Sequence, residues 1–176
     1  MLRAHRERGM HRRIGAQLGA GLSARAREPV FFLHCGVPDT IDGRFDVLML
    51  HAWLVLERLQ SHGEDDLAQA LVDALFVHLE EALREQGAGD MSMSRRLKKM
   101  AGAFYGRLQA YRDATDENAL AAAVTRNLYR GDASRVEQAV GIARYAVAAR
   151  TRLAQCCLEQ GQLEFGPLPA PVEAIA

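Results

Sequence analysis

A chain of 176 residues, 49% apolar and 25% charged, is long enough for one domain with a real core and too short for two comfortable ones. Lysine plus arginine and aspartate plus glutamate each number 22, so no global field exists to draw in nucleic acid or an anionic membrane. The longest apolar run, Val47 to Leu56, holds ten residues with a histidine among them, well short of the roughly 20 needed to span a bilayer.

The even charge hides an uneven distribution. Residues 1–28 hold seven arginines against two glutamates, a basic segment ahead of a net acidic remainder. It reads as a loosely amphipathic, frayed helix, because Gly9, Gly15, Gly19 and Gly21 lower its intrinsic stability. Glu28-Pro29 ends it, since proline pushes the preceding residue out of the helical region. The start lacks the apolar stretch of a signal peptide. Its arginine-rich, acid-poor character would suit a mitochondrial transit segment, but the rest of the chain fits a bacterial cytosolic protein without one. Cys35, Cys156 and Cys157 cannot form a closed disulfide set, so reduced thiols in a cytosol-like compartment are expected.

"VFFLHCGVPDT", Val30 to Thr40, is predicted as an extended connector anchored by Val30, Phe31, Phe32 and Leu33, with His34 and Cys35 mostly buried. A helix from about Phe45 to Ser61 is apolar on nearly every side and should be the central, buried one. The next, about Asp65 to Glu85, sets Leu67, Leu71, Leu75, Leu79 and Leu83 on one stripe and ends at Gly87. Met93, Leu97, Met100, Phe104, Leu108 and Tyr111 then draw a single apolar stripe, with Arg95, Arg96, Lys98 and Lys99 on the opposite side. Another helix runs from about Glu117 to Tyr129, its first turn suited by Thr115, Asp116 and Glu117. The last opens on "SRVE", Ser134 to Glu137, a reciprocal capping pattern, and continues to about Glu159. The fold class expected is all-α: five to six helices in one domain over residues 29–165, with residues 166–176 a proline-rich tail outside the core.

Several chemistries lack their residues. "GVPDTIDGRFD", Gly36 to Asp46, has no lysine for a phosphate-cradling loop, and its aspartates repel phosphate. One acidic cluster, Glu64 to Asp66, has no second copy to hold magnesium on a diphosphate. Glu-x-x-His never occurs as a di-iron bundle needs, and the cysteines lack a nearby fourth zinc ligand. No catalytic residue, metal ligand or cofactor is assigned. His51, inside the apolar helix with Met49 nearby, is either a core histidine with protein partners or a haem ligand. The strip Arg95, Arg96, Lys98 and Lys99 is either a solvated face beside an acidic helix or a basic face for a ribosome or nucleic acid. No sequence-specific nucleic-acid recognition is expected, since Phe104 and Tyr111 lie on the core stripe.

Three stretches in order, "GVPDTIDGRFDVLMLHAWLVLERL" (Gly36 to Leu59), "GAGDMSMSRRLKKMAGAFYGRLQAY" (Gly87 to Tyr111) and "LAAAVTRNLYRG" (Leu120 to Gly131), resemble the ubiquinol–cytochrome c reductase chaperone family. The resemblance implies a non-enzymatic assembly factor for the cytochrome bc1 complex that binds newly made cytochrome b as apoprotein or nascent chain. It further implies contact with a ribosome or a small partner protein. A haem-handling role in the same pathway, or a ribosome-binding module, is the alternative. With no long mitochondrial extension ahead of it, the chain looks like an alphaproteobacterial member, cytoplasmic or peripheral on the inner membrane.

In that light the polar stretch is expected to be a knot shaping a client groove. Asp39 and Thr40 bond nearby amides, while Asp42-Gly43 makes a reversal or cap. Three acids so close require a cation, with Arg44 nearest in sequence and Arg107 or Arg126 in reach if the helices fold back. Client-binding candidates are Asp39, Asp42, Arg44, Asp46, Tyr105, Arg107, Tyr111, Arg126 and Asn127. Gly106, inside a helix, signals close approach by a client or another helix. Met91, Met93 and Met100 suit either the core or an adaptable surface.

Overall fold

Apolar residues recurring every three to four positions make each segment a helix and turn its stripe toward one shared core. The protein's computed structural model describes residues 2–85 and 90–170. Helix α1 spans Leu2–Ala26, α2 Val30–Leu33, α3 Ile41–Ser61, α4 Asp65–Glu85, α5 Asp90–Arg112, α6 Glu117–Leu128 and α7 Val136–Leu153, with 3₁₀ turns at Ala133–Arg135 and Leu158–Gln160. The expected all-α bundle is therefore present, and among the described residues no strand accompanies it. Gly87, predicted to end α4, and the side chain of Met91 lie outside the described residues.

Helix α3 is the axis, packing against α1, α4, α5, α6 and α7. Met49, Leu50, Trp53, Leu54 and Val55 are all buried, each contributing roughly 1.5–3 kcal/mol of gross burial. The leucine stripe of α4 is buried as expected, from Leu67 to Leu83. So are Met93, Phe104, Leu108 and Tyr111 on α5.

Helix α1 departs from its expected looseness. Ile14, Leu18, Leu22 and Ala26 belong to the common core, and α1 lies along α4. Gly15 makes the approach possible: a Cβ there would stand 2.7 Å from the Ala70 carbonyl carbon and 2.9 Å from the Leu71 amide nitrogen. A glycine that weakens a helix alone permits it to dock. Gly15→Ala should therefore cost about 1–2 kcal/mol net, overpacking outweighing the gain in helix propensity. Thermal unfolding reads this directly, and an unchanged midpoint would mean α1 sits farther from α4.

Other boundaries differ for local reasons. The connector is not fully extended: Val30–Leu33 closes one helical turn started by Pro29. Phe31 is buried and Phe32 half-buried, but Leu33 is 75% exposed and anchors nothing. His34 is exposed, unlike its buried neighbour Cys35. Helix α3 begins at Ile41 because Thr40 caps it, its hydroxyl accepting from the Gly43 amide at 3.1 Å. Before α7 the cap falls to Asp132, which accepts from the Ser134 amide at 2.9 Å, so "SRVE" does not form its reciprocal pair. Helix α7 stops at Leu153, earlier than its alanine-rich pattern suggests. Phe165 joins the core as part of the domain, and within the expected tail Pro169 is also buried.

Candidate binding groove and its buried ion pairs

Asp46 lies inside the first two turns of α3, with none of its surface exposed. A carboxylate so placed must find cations. Arg107 Nε of α5 stands 2.6 Å from one oxygen, and Arg130 Nη2, from the turn after α6, 2.7 Å from the other. Burial pushes the Asp46 carboxyl above its usual range while the guanidiniums of Arg107 and Arg130 pull it down. Arg130 occupies the left-handed region at φ 58, and Gly131 follows at φ 80. That strained turn swings the Arg130 guanidinium back over the end of α6, where it also donates to the Asn127 carbonyl at 2.7 Å. Arg107 lies over the Phe45 ring, 5.3 Å from its centroid.

Tyr111 is fully buried against Trp53, the rings 5.3 Å apart. Burial pushes its hydroxyl far up; the Asn127 side chain bears on it, with Asp46, Arg107 and Arg126 within electrostatic reach. Four of the nine candidates thus gather: Asp46, Arg107, Tyr111 and Asn127.

The other five stand outside this cluster, and the three acids do not form one knot. Asp39 pairs with Arg44 at 2.6 Å on the surface, and that hydrogen bond holds its carboxyl below the usual range. Asp42 is exposed in the first turn of α3, where the helix dipole favours it. Tyr105 is 60% exposed and faces a different hollow, with Leu56, Gln60 and Arg112. Arg126, offered with Arg107 as a cation within reach of the acids, is exposed and lines a separate hollow with Asn118 and Val136; Arg130 joins Arg107 at Asp46 instead. The signal for Arg130 was Arg-Gly just past a helix end, a pair suited to a left-handed turn.

These ion pairs form one wall of an open groove of about 510 Å³, lined by Ile41, Asp42, Phe45, Leu83, Met100 and the basic Arg96, Lys99, Arg107 and Arg130. It continues through Ile41, Phe45, Leu83 and Met100 into an apolar recess of about 200 Å³, with Arg27 and Arg44 beside Leu48 and Leu79. The basic strip is therefore divided. Arg96 and Lys99 face the groove, Lys98 joins a hollow with Asp73 and Glu80, and Arg95 is simply exposed. Met100 forms groove floor, whereas Met93 is buried. A Cβ on Gly106 would meet nothing within 4 Å, so no neighbouring helix explains that glycine.

His51 is fully buried with both nitrogens engaged. Nδ1–H donates to the Val47 carbonyl at 2.8 Å, and Nε2 accepts from the Tyr145 hydroxyl at 2.7 Å. Tyr145 in turn accepts from Arg25 Nε at 3.0 Å, and Arg25 donates to the Gly166 carbonyl at 2.8 Å, tying the C-terminal strap down. This is a core histidine; axial ligation would require breaking the bond to Tyr145. Burial lowers its pKa from 6.5 to about 4. Between those values the unfolded chain holds the proton and the folded one does not, so the stability is present above about 6.5 and is lost as pH falls toward 4. Denaturant titrations should show a loss of roughly 2 kcal/mol from this group between about pH 7.5 and pH 5. His51→Gln should flatten that slope, and an identical slope would assign the acid sensitivity elsewhere.

A helical bundle with an open apolar groove edged by arginine and lysine has the build of a binding protein. Residues 33–160 match the family described as Ubiquinol-cytochrome C chaperone, and the chain belongs to that family. The crystal structure of the Cbp3 homolog from Brucella abortus is similar at a TM-score of 0.78 and 33% identity, over 95% of this chain and 97% of that one. Ubiquinol-cytochrome-c reductase complex assembly factor 1 of Xenopus laevis is 28% identical over 102 residues, 56% of this chain and 51% of its own length. The Homo sapiens protein of that name is 26% identical over 103 residues, 56% of this chain and 34% of its own. The chain spans about half or less of the length of these curated relatives.

Proposed function

We propose that this protein is a non-enzymatic assembly factor for the cytochrome bc1 complex, holding newly made cytochrome b during its maturation. Family membership carries the proposal, and the names of the curated relatives give the complex. The groove supplies a physical means. A holder for a membrane protein's segments needs an apolar surface edged by charge and open to solvent, and the surface around Phe45 and Met100 has that character. Among the described residues no three of histidine, cysteine, aspartate and glutamate gather as a metal site, and no helix is long and apolar enough to cross a membrane. In this reading the protein works at the cytoplasmic face of the inner membrane, where its client is inserted.

The test is an affinity pull-down from respiring cells, in which cytochrome b should come down with the tagged protein. Deleting the gene should remove assembled bc1 complex and leave the cytochrome b message intact. Normal ubiquinol–cytochrome c reductase activity in the deletion strain would overturn the reading.

A further inference from the structure

We propose that the groove is selective for an amphipathic helical segment carrying acidic side chains toward one end. The inference rests on the holding role proposed above and specifies the chemistry of what is held. Apolar and basic groups are not mixed evenly along the groove. Leu48 and Leu79 belong to the recess alone, where the basic groups are Arg27 and an Arg44 already paired with Asp39, whereas Arg96, Lys99, Arg107 and Arg130 gather at the other end. There Asp42 and the buried Asp46 answer only half of those charges, leaving an excess of two positive charges. Arg130 is still 49% exposed after its pairing with Asp46, so it presents charge to an incoming carboxylate. Ile41, 55% exposed, stands where the two ends meet.

Shape decides between a chain segment and a lipid surface. These groups line a concavity between α3, α4 and α5, which a helix can enter and a flat bilayer cannot. Elsewhere on α5, Gly102 and Gly106 leave the backbone bare, with nothing within 4 Å of a built Cβ at either position. Neither glycine is therefore needed for packing inside the bundle.

The experiment uses the purified full chain and a displayed library of random 16-residue peptides, with phosphatidylglycerol vesicles as a second probe. Selected peptides should combine an apolar helical stripe with aspartate or glutamate near one end, and bind more weakly as salt rises. Arg96→Glu together with Lys99→Glu, both on exposed positions, should weaken them about tenfold or more while leaving the helical circular dichroism and melting temperature unchanged. Selected peptides that are basic or uncharged, or that ignore the double reversal, would overturn the proposal. So would vesicle binding with no peptide selection, or no binding to either probe. Pull-down of cytochrome b by the unaltered protein is read separately. If the double-reversal variant recovers it equally well, the groove inference fails and the assembly reading stands.

Discussion

Replacing Asp46 with alanine should destabilise the protein by about 3–5 kcal/mol, because it strands a buried guanidinium without its counter-charge. Asp46 is wholly buried and Arg107 only 17% exposed, with the Arg130 pair completing the set. An ion pair this enclosed adds little relative to a well-packed apolar substitute, yet removing one member alone is severe. The double variant Asp46→Leu with Arg107→Met should accordingly recover much of the loss, while Arg130→Ala alone should cost less because that arginine is half in water. Urea denaturation distinguishes these outcomes through the midpoint at constant slope. A loss under about 1 kcal/mol for Asp46→Ala, the range of a surface pair, would show that water reaches the carboxylate.

Gly43→Ala should cost about 3 kcal/mol or more, at the upper end of overpacking effects. A Cβ at Gly43 would lie 1.9 Å from the Pro38 carbonyl oxygen and 3.1 Å from its carbon. The same carbonyl accepts from the Thr40 amide at 2.8 Å, and the Thr40 hydroxyl accepts from the Gly43 amide. Pushing Pro38 away therefore disturbs the bend and the helix cap together. The gain in helix propensity, about 1 kcal/mol, cannot offset this. Because Ile41, Asp42 and Phe45 line the groove, the variant should, on the holding role proposed above, lose affinity for the selected peptides as well as stability. Amide exchange would locate the damage in residues 38–45, and a wild-type melting curve would refute the tight contact.

Much of the bundle could be read from spacing. The leucines of α4, the central place of α3 and the stripe from Met93 to Tyr111 all follow from periodicity, because a helix repeats every 3.6 residues whatever its neighbours. The candidate site was legible only in part. Asp46, Arg107, Tyr111 and Asn127 lay in stretches that stood out, but their contacts join α3, α5 and α6, and spacing along one helix carries no information about another. Of the cations expected within reach of the acids, Arg107 meets Asp46 and Arg44 meets Asp39, while Arg130 rather than Arg126 completes the set. A left-handed backbone at Arg130 redirected the side chain, a choice that residue identity alone does not fix.

Composition and pattern determined by themselves that the chain is helical and that α3 is buried, since these depend on neighbours within a few residues; that Thr40 caps the helix and starts it at Ile41, ahead of the expected Phe45, was decided by the structure. The tertiary structure alone decided which acid would be buried, which arginines would neutralise it, and that Arg96 and Lys99 would share a groove with Phe45 and Leu83. The reason is physical. Burial of a charge is tolerable only where distant segments bring opposite charges together, and that meeting is set by how whole helices pack.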